Sequence, residues 1–285
     1  MEDVHHPRDF KNPSKRRLEV KSPPAHQPTH RMLQELWSRL KAAPRAVLFL
    51  DYDGTLAPFH RDPYKAFPYP GVVELLNDMW EVPCRLVIVT GRAVEAILPL
   101  LKGMNPLPEI WANHGMEVLK PGGERVSFPV SSQGVKLLEE AKRWIDQQGW
   151  GLVYEAKPTS IAVHWRGRSP EEQRRFSQAL GRKFKELSQG GEVHPLPFDG
   201  GLELRVRGRT KGDVVNEVLN EEGNPPSAYL GDDVTDEDAF SAMKGRGVGL
   251  LVRKEWRETQ ADGWLIPPEE LLWFLHMWIM SLKSR

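Results

Sequence analysis

Ten residues constrain this chain more than any others: Ala46–Thr55, AVLFLDYDGT. An unbroken run of strand-favouring apolar residues stops at two aspartates one residue apart, followed at once by Gly54 and Thr55. Such a run suits a strand buried on both faces of a parallel sheet, which in turn requires helices on both sides. In open α/β sheets, ligands bind just beyond the carboxyl ends of the strands, and that is where Asp51 and Asp53 would stand. The competing reading is a strand closed by an ordinary Asp/Gly turn.

Downstream, the pattern alternates. It predicts a helix around Gly71–Trp80, a strand over Arg85–Val89, a helix after Thr90-Gly91-Arg92 and a strand at Glu109–Ala112. Strands alternating with helices imply a doubly wound parallel sheet of Rossmann type. The style then changes. Glu117–Leu119 and Arg125–Phe128 flank Pro121-Gly122-Gly123 as a hairpin, followed by a helix over Gly134–Gln148 and strands over Gly151–Glu155 and Ser160–Arg166. A second helix (Pro170–Ser188) and strands near Glu192–His194 and Gly201–Val206 complete an α+β segment whose neighbouring strands are close enough to pair antiparallel. From Thr210 the first style returns, with a helix over Gly212–Asn220, a strand at Ala228–Leu230 and a helix from Asp236. The economical division is a disordered tail and lead-in helix over 1–44, an α/β core over 45–116 and 207–285, and an inserted α+β cap over 117–206.

Composition narrows the partners. Lys+Arg and Asp+Glu number 39 each, so no net field points to nucleic acid or an anionic membrane. Cys84 is the one cysteine; it precludes an internal disulfide and fits a reducing, cytoplasmic setting. Residues 1–30 are Pro-rich and charged, lack the apolar stretch of a secretory signal, and read as a disordered tail in which Lys15-Arg16-Arg17 is solvated. Leu271–Leu282 is strongly apolar but far short of the ~20 residues of a membrane span. After Pro267-Pro268-Glu269-Glu270 it reads as a packed terminal helix.

Three more motifs fall where this fold would bring them to Asp51. Thr90-Gly91-Arg92 joins a strand end to a helix start, where a hydroxyl and backbone amides form an anion site. Thr210-Lys211-Gly212 opens a helix, and a lysine there opposes the macrodipole unless an anion is nearby. Gly231–Asp238 (GDDVTDED) packs five carboxylates into seven residues. An acidic first helical turn accounts for Asp236, Glu237 and Asp238, but not for Asp232 and Asp233, which precede the helix. Hard oxygen ligands without nearby His or Cys suit Mg²⁺. Carboxylates at strand ends, a hydroxyl/amide nest, a lysine and Mg²⁺ together make a phosphoryl-transfer site.

The four pieces DxDGT, TGR, K-G and GDDxTDE, in this order, resemble the haloacid dehalogenase-type phosphatases. Longer strings narrow the resemblance to the trehalose-6-phosphate phosphatases: Asn113-His114-Gly115-Met116-Glu117, the run from Glu155 to Arg166 (EAKPTSIAVHWR), and GDDVTDEDAF. The likeness spans roughly residues 45–282. It implies Asp51 as a nucleophile forming an aspartyl-phosphate. It implies Asp53 as general acid and then base, holding a proton near neutrality through burial and the neighbouring Asp51. Mg²⁺ would be bound by Asp51, Asp232 and the backbone carbonyl of Asp53, with Asp233 and Asp236 orienting waters around it. Thr90 and Lys211 would hold phosphoryl oxygens, helped by the amides of Gly54 and Gly91, with Arg92 in a structural place.

The insertion then becomes a lid that selects the sugar. On Ser160–Arg166, Ile161, Val163 and Trp165 share one face and His164 and Arg166 the other; on Gly201–Val206, Leu202, Leu204 and Val206 oppose Glu203 and Arg205. The resemblance assigns sugar contacts to Lys157, His164, Glu203 and, near the hinge, Glu117. It implies a small sugar phosphate as partner, with a trehalose-6-phosphate synthase as its supplier; nothing in the residues bears on the synthase. Alternatives are a phosphatase for another glycosyl phosphate (sucrose 6-phosphate or glucosylglycerate phosphate), a catalytically silent sugar-phosphate sensor, and a signalling receiver domain. The last would need neither Asp53 nor the insertion.

Overall fold

The structure, a computed structural model, describes residues 29–60, 62–150, 154–198 and 200–284. Residues 1–28 of the tail expected over 1–30, with Lys15-Arg16-Arg17, and residues 151–153 of the expected strand Gly151–Glu155 lie outside them, whereas Thr29 and His30 are helical. Helix α1 (Thr29–Ala42) leads into β1 (Ala46–Leu50), every residue of which is buried. Helix α2 (Val72–Asp78), β2 (Cys84–Val89), the short α3 (Val94–Ile97) and β3 (Glu109–Ala112) follow, and then the hairpin β4 (Glu117–Leu119) and β5 (Arg125–Ser127). Next come α4 (Ser132–Gln147), β6 (Tyr154–Lys157), β7 (Ser160–His164), α5 (Pro170–Leu187), β8 (Val193–Phe198) and β9 (Gly201–Val206). The chain closes with α6 (Lys211–Glu222), β10 (Ser227–Gly231), α7 (Glu237–Met243), β11 (Val248–Val252), β12 (Gly263–Leu265) and α8 (Glu269–Lys283).

The large sheet has the order β12-β11-β10-β1-β2-β3-β4-β5. Its strands are parallel from β12 through β3, and the last two pairings are antiparallel. Strand β1 shows why the run AVLFL must be apolar throughout. Its even-numbered residues, Ala46, Leu48 and Leu50, pack with Leu36 and Leu40 of α1 and Phe274 and Trp278 of α8. Val47 and Phe49 pack on the other side with Val214 and Val218 of α6 and Phe240 of α7. A strand sandwiched between helices has no solvent face, and each side chain of this size contributes about 1.5–3 kcal/mol on burial. Helix α8 buries Leu271, Phe274, Leu275, Trp278, Ile279 and Leu282, as expected of a packed terminal helix. Among the described residues no helix is long and apolar enough to cross a membrane.

The small sheet, β6-β7-β9-β8, is antiparallel throughout. Ile161, Val163 and Leu204 pack under Leu138 and Ile145 of α4 and Phe176, Leu180 and Phe184 of α5. Helix α5 begins at a capping box, Ser169 with Glu172, which satisfies two of the orphan donors at its start.

The hairpin Glu117–Ser127 forms as its sequence predicts, but it joins the large sheet: Ile110 pairs with Leu119 and Trp111 with Val118. This corrects the grouping of residues 117–127 with the insertion. The cause is packing, since Val118 is buried in the α6-side cluster and Val126 and Phe128 pack against it. Alternation identifies a hairpin but not the sheet edge it joins. Two parallel strands, β11 and β12, extend the other edge beyond those predicted. Register puts the ends of β1, β2 and β10 level, with Leu50 opposite Ile88 on one side and Leu230 on the other. The loops carrying Asp51, Thr90 and Asp232 therefore leave the sheet side by side.

Candidate active site

Asp51 leaves β1 with its amide bonded to the Leu230 carbonyl of β10 at 2.8 Å, so its backbone position is tied to the neighbouring strand. Its Oδ1 accepts from Lys211 Nζ at 2.7 Å, and its Oδ2 from the Thr55 hydroxyl at 3.2 Å. Lys211 opens α6 and reaches Asp236 Oδ1 as well, also at 2.7 Å. The lysine that opposes the macrodipole at this helix start is thus buried and held between two carboxylates. Burial works against the Lys211 ammonium, but Asp236 and Asp51 more than offset it, and its pKa is raised above the ordinary lysine value. Burial pushes the Asp51 carboxyl up to about 7, against the pull of Lys211 and aided by Asp236.

Asp236 is the most fully bonded group in the site. Oδ1 accepts from Lys211 and, at 2.6 Å, from the Tyr229 hydroxyl; Oδ2 accepts from the amides of Asp232 and Asp233 at 3.1 Å each. All four acceptor positions of the carboxylate are filled. It fixes the GDDVTD loop and clamps Lys211. Asp232 is the opposite case: it is buried, and its Oδ2 has no hydrogen-bond partner among the described residues. Burial, and then the charge of Asp51, raises its pKa well above the ordinary range, and burial also raises that of Asp233. Gly54, at φ +82°, makes this approach possible, because a Cβ there would stand 2.2 Å from Asp232 Oδ2.

Oxygens of Asp51, Asp232 and Asp236 lie within 4.8 Å of one another, with one lysine among them. Three buried carboxylates, one ammonium and an unpartnered carboxylate oxygen suit a hard divalent cation. Asp236 lies inside this cluster, although the sequence places it outside the metal's ligands. Its filled acceptors leave the carboxylates of Asp51 and Asp232 as the ones that could hold such a cation. The side chain of Asp53 is not in the cluster.

Asp53 is half-buried rather than buried as expected. Both of its oxygens accept from Arg92, Oδ2 from Nε and Oδ1 from Nη2, each at 2.6 Å. Thr90 ends β2 fully buried; its amide donates to Trp111 and its Oγ1 accepts from the Arg92 amide at 3.1 Å, which leaves the hydroxyl proton to give. Gly91 lies against the His114 ring, 2.6 Å from where a Cβ would stand. The Gly54 amide, expected to face a phosphate, donates to the Ala57 carbonyl at 2.8 Å and is spent within its own turn.

The small sheet turns a polar face to these loops. Lys157 Nζ donates to the Gly91 carbonyl at 3.2 Å, and buried Glu203 lies 3.8 Å from His114 Nε2. His164 is farther out, 4.0 Å from Glu155, and burial lowers its pKa. Glu117 does not open towards this space, because Oε2 accepts from Asn113 at 3.3 Å and Oε1 from Arg125. It ties the turn after β3 to β5.

Sequence reasoning passed over two contributors and gave a third only a structural place. Glu155, 3.9 Å from Lys157, stands two residues before it on β6 and so on the same face, a signal that alternation offers. His114 holds a positive φ of 57° and packs between Gly91 and Glu203; burial, then Arg205 and Lys211, lowers its pKa well below the ordinary histidine value. Arg92 sits in the site itself.

The trehalose-phosphatase family model matches residues 49–261. Trehalose-phosphate phosphatase B of Arabidopsis thaliana is 32% identical over 263 residues, covering 80% of this chain and 65% of the relative. The chain spans 54%, about half, of the length of other curated relatives that it matches. Among solved structures, the C-terminal domain of trehalose-6-phosphate phosphatase from C. albicans superposes with a TM-score of 0.72 at 22% identity, covering 87% of this chain and 96% of that one. A haloacid dehalogenase-like hydrolase from B. subtilis gives 0.58 at 13% identity, covering 77% and 94%. At these identities the two structures establish the fold, which is of the haloacid dehalogenase type. The family match reaches from within β1 to the residues just before β12 and takes in the small sheet, most of the large one and every site loop described above, so the chain belongs to the trehalose-phosphatase family.

Proposed function

We propose that the protein hydrolyses trehalose 6-phosphate to trehalose and phosphate through an aspartyl-phosphate on Asp51. The observation that carries this is Lys211, held at 2.7 Å from both Asp51 and Asp236 beside the unpartnered Asp232. A buried cation fixed against a strand-end carboxylate neutralises charge where a phosphoryl group would sit, and phosphoryl transfer runs mainly on such neutralisation and on positioning.

An Asp51 oxygen attacks phosphorus as the bond from phosphorus to the sugar oxygen breaks. Asp53, once protonated, passes its proton to that oxygen, and the sugar leaves. Asp53 then takes a proton from a water that attacks phosphorus. The bond to Asp51 breaks, phosphate departs, and both aspartates return to their starting forms. Thr90 and Lys211 hold the phosphoryl oxygens, and Gly91 leaves room beside them. Asp51 and Asp232, with the Asp53 carbonyl, would hold Mg²⁺, which when bound offsets phosphoryl charge. Asp233 flanks that site, while Asp236 keeps its loop in shape.

The unit from α4 to β9 acts as the lid, with the boundary placed after β5. Glu155, Lys157, His164 and Glu203 supply hydroxyl-directed contacts, and the second ring of the disaccharide would lie between them and the core. Half-buried Cys84, bonded to Trp278, suits a cytoplasmic setting, and a synthase would supply the substrate.

Phosphate release with Mg²⁺ tests the reading against trehalose 6-phosphate, sucrose 6-phosphate, glucose 6-phosphate and a glucosylglycerate phosphate. We expect a strong preference for the first, abolished by EDTA. Preference for another member keeps the core chemistry and overturns the lid assignment. Silence across the panel favours a sensor.

A further inference from the structure

We infer that Arg92 is a positioning residue: it sets the plane of the Asp53 carboxyl group so that this group can deliver a proton to the leaving sugar oxygen. The inference rests on the phosphatase reading above and assigns Arg92 a task that the sequence, taken alone, leaves as structural.

The geometry is a fork on a fork. Nε and Nη2 of Arg92 each meet a different oxygen of Asp53 at 2.6 Å, which fixes both the position and the rotation of the carboxyl group. The arginine is itself held from several directions. Its Nη1 donates to the Pro63 carbonyl at 2.8 Å, and its guanidinium lies 5.6 Å from the centre of the Tyr52 ring. Its amide donates to Thr90 Oγ1 at 3.1 Å, and its carbonyl accepts from the Asn113 amide at 2.8 Å. Arg92 therefore ties the loop after β1, the loop through Pro63, the end of β2 and the turn after β3 to one carboxyl group.

Asp53 needs this more than Asp51 does. Asp51 is buried and bonded to Lys211 and Thr55, whereas the Asp53 side chain is 31% exposed and free to rotate without its partner. A bidentate pair leaves one acceptor position on each oxygen, and those are the positions from which Asp53 can give or take a proton. Lysine offers a point charge on a flexible stem and cannot reproduce the fork.

A sugar alkoxide needs a proton as it leaves, whereas p-nitrophenolate departs as a stable anion. Positioned acids contribute about 10²–10⁴-fold to such steps. Arg92→Met and Arg92→Lys should therefore lower kcat/KM for trehalose 6-phosphate by about 10²-fold, yet lower that for p-nitrophenyl phosphate by less than about threefold. Asp53→Asn should show the same selectivity, and Arg92→Met combined with Asp53→Asn should lose little more than either alone, because the two act as a unit. Thermal midpoints report whether each variant folds, and Arg92→Lys serves if Arg92→Met does not. Equal losses on both substrates, additive losses in the double variant, or no loss at all would overturn the inference. A wild-type protein that releases phosphate from neither compound would overturn the phosphatase reading, and this inference with it.

Discussion

In the core, the Lys211 side chain is 2% exposed and meets two carboxylates at 2.7 Å. On the small sheet, the Glu155 side chain is 51% exposed, and its nearest basic side chains, Lys157 and His164, stand 3.9 and 4.0 Å away. The first arrangement is short, buried and saturated; the second is loose and wet. A charge removed from water must be fully compensated or it unfolds the site, so the core geometry is built in before any ligand arrives. Charges that keep their water cost little to leave unpaired, and they can exchange that water for sugar hydroxyls later. On the proposed reading, the core is thus organised for one chemistry and the lid for adjustable recognition.

The sharpest way to break that contrast is Asp51→Asn. It should lower kcat by at least about 10³-fold, since nothing else in the site offers an attacking oxygen so placed. The fold should persist, because Asp236 still holds Lys211. Appreciable turnover with a normal thermal midpoint would remove Asp51 as nucleophile.

A second test uses pH. Burial raises the Asp51 carboxyl to about 7, so the folded, metal-free protein binds a proton there that the unfolded chain, titrating near its ordinary value of about 3.9, does not. The stability this group contributes is present in full below the unfolded value and is lost as pH rises through about 7. The thermal midpoint of the metal-free protein should accordingly fall as pH rises from about 4 to 7 and level off above it. Mg²⁺ must displace that proton, so its affinity should weaken by up to about tenfold per pH unit below 7, and the midpoint rise it produces should be larger at pH 8 than at pH 6. Equal rises at both pH values would show that the carboxylates are already ionised.

The lid should respond more gently. Glu203→Ala is expected to cost at least about tenfold in kcat/KM for trehalose 6-phosphate, about 1.4 kcal/mol of transition-state binding. Exposed Glu155→Ala should cost less than Glu203→Ala. A reversed order in steady-state kinetics would mean that the wetter carboxylate carries the recognition and that burial is a poor guide here.

How much was legible in the sequence follows the same division. The strand AVLFL, its two aspartates, Thr90, Lys211 and the GDDVTD loop announce themselves because a parallel sheet needs apolar strands and collects polar residues at their ends. The paired faces of β7 and β9 were also readable from alternation. The fate of individual hydrogen bonds was not. Nothing local says that the Gly54 amide closes its own turn, that Glu117 is taken by Arg125 and Asn113, or that Asp236 fills every acceptor. Those outcomes depend on partners that only the folded chain brings close. The hairpin Glu117–Ser127 makes the point at the level of a whole element, since its pairing was predicted and its sheet was not.

One contact sets a condition on how the molecule is made. Asp51 and Lys211 lie 160 positions apart, and Asp236 is 25 further on. Strand β1 also finds its β10 partner only after the whole small sheet has been laid down between them. A chain emerging from synthesis therefore carries Asp51 long before the cation that compensates it, and β1 must wait with one edge open. Closing so long a loop is entropically expensive and slow. Pairing of β10 with β1 should thus fall late in folding, and competence for chemistry should arrive with it in a single step.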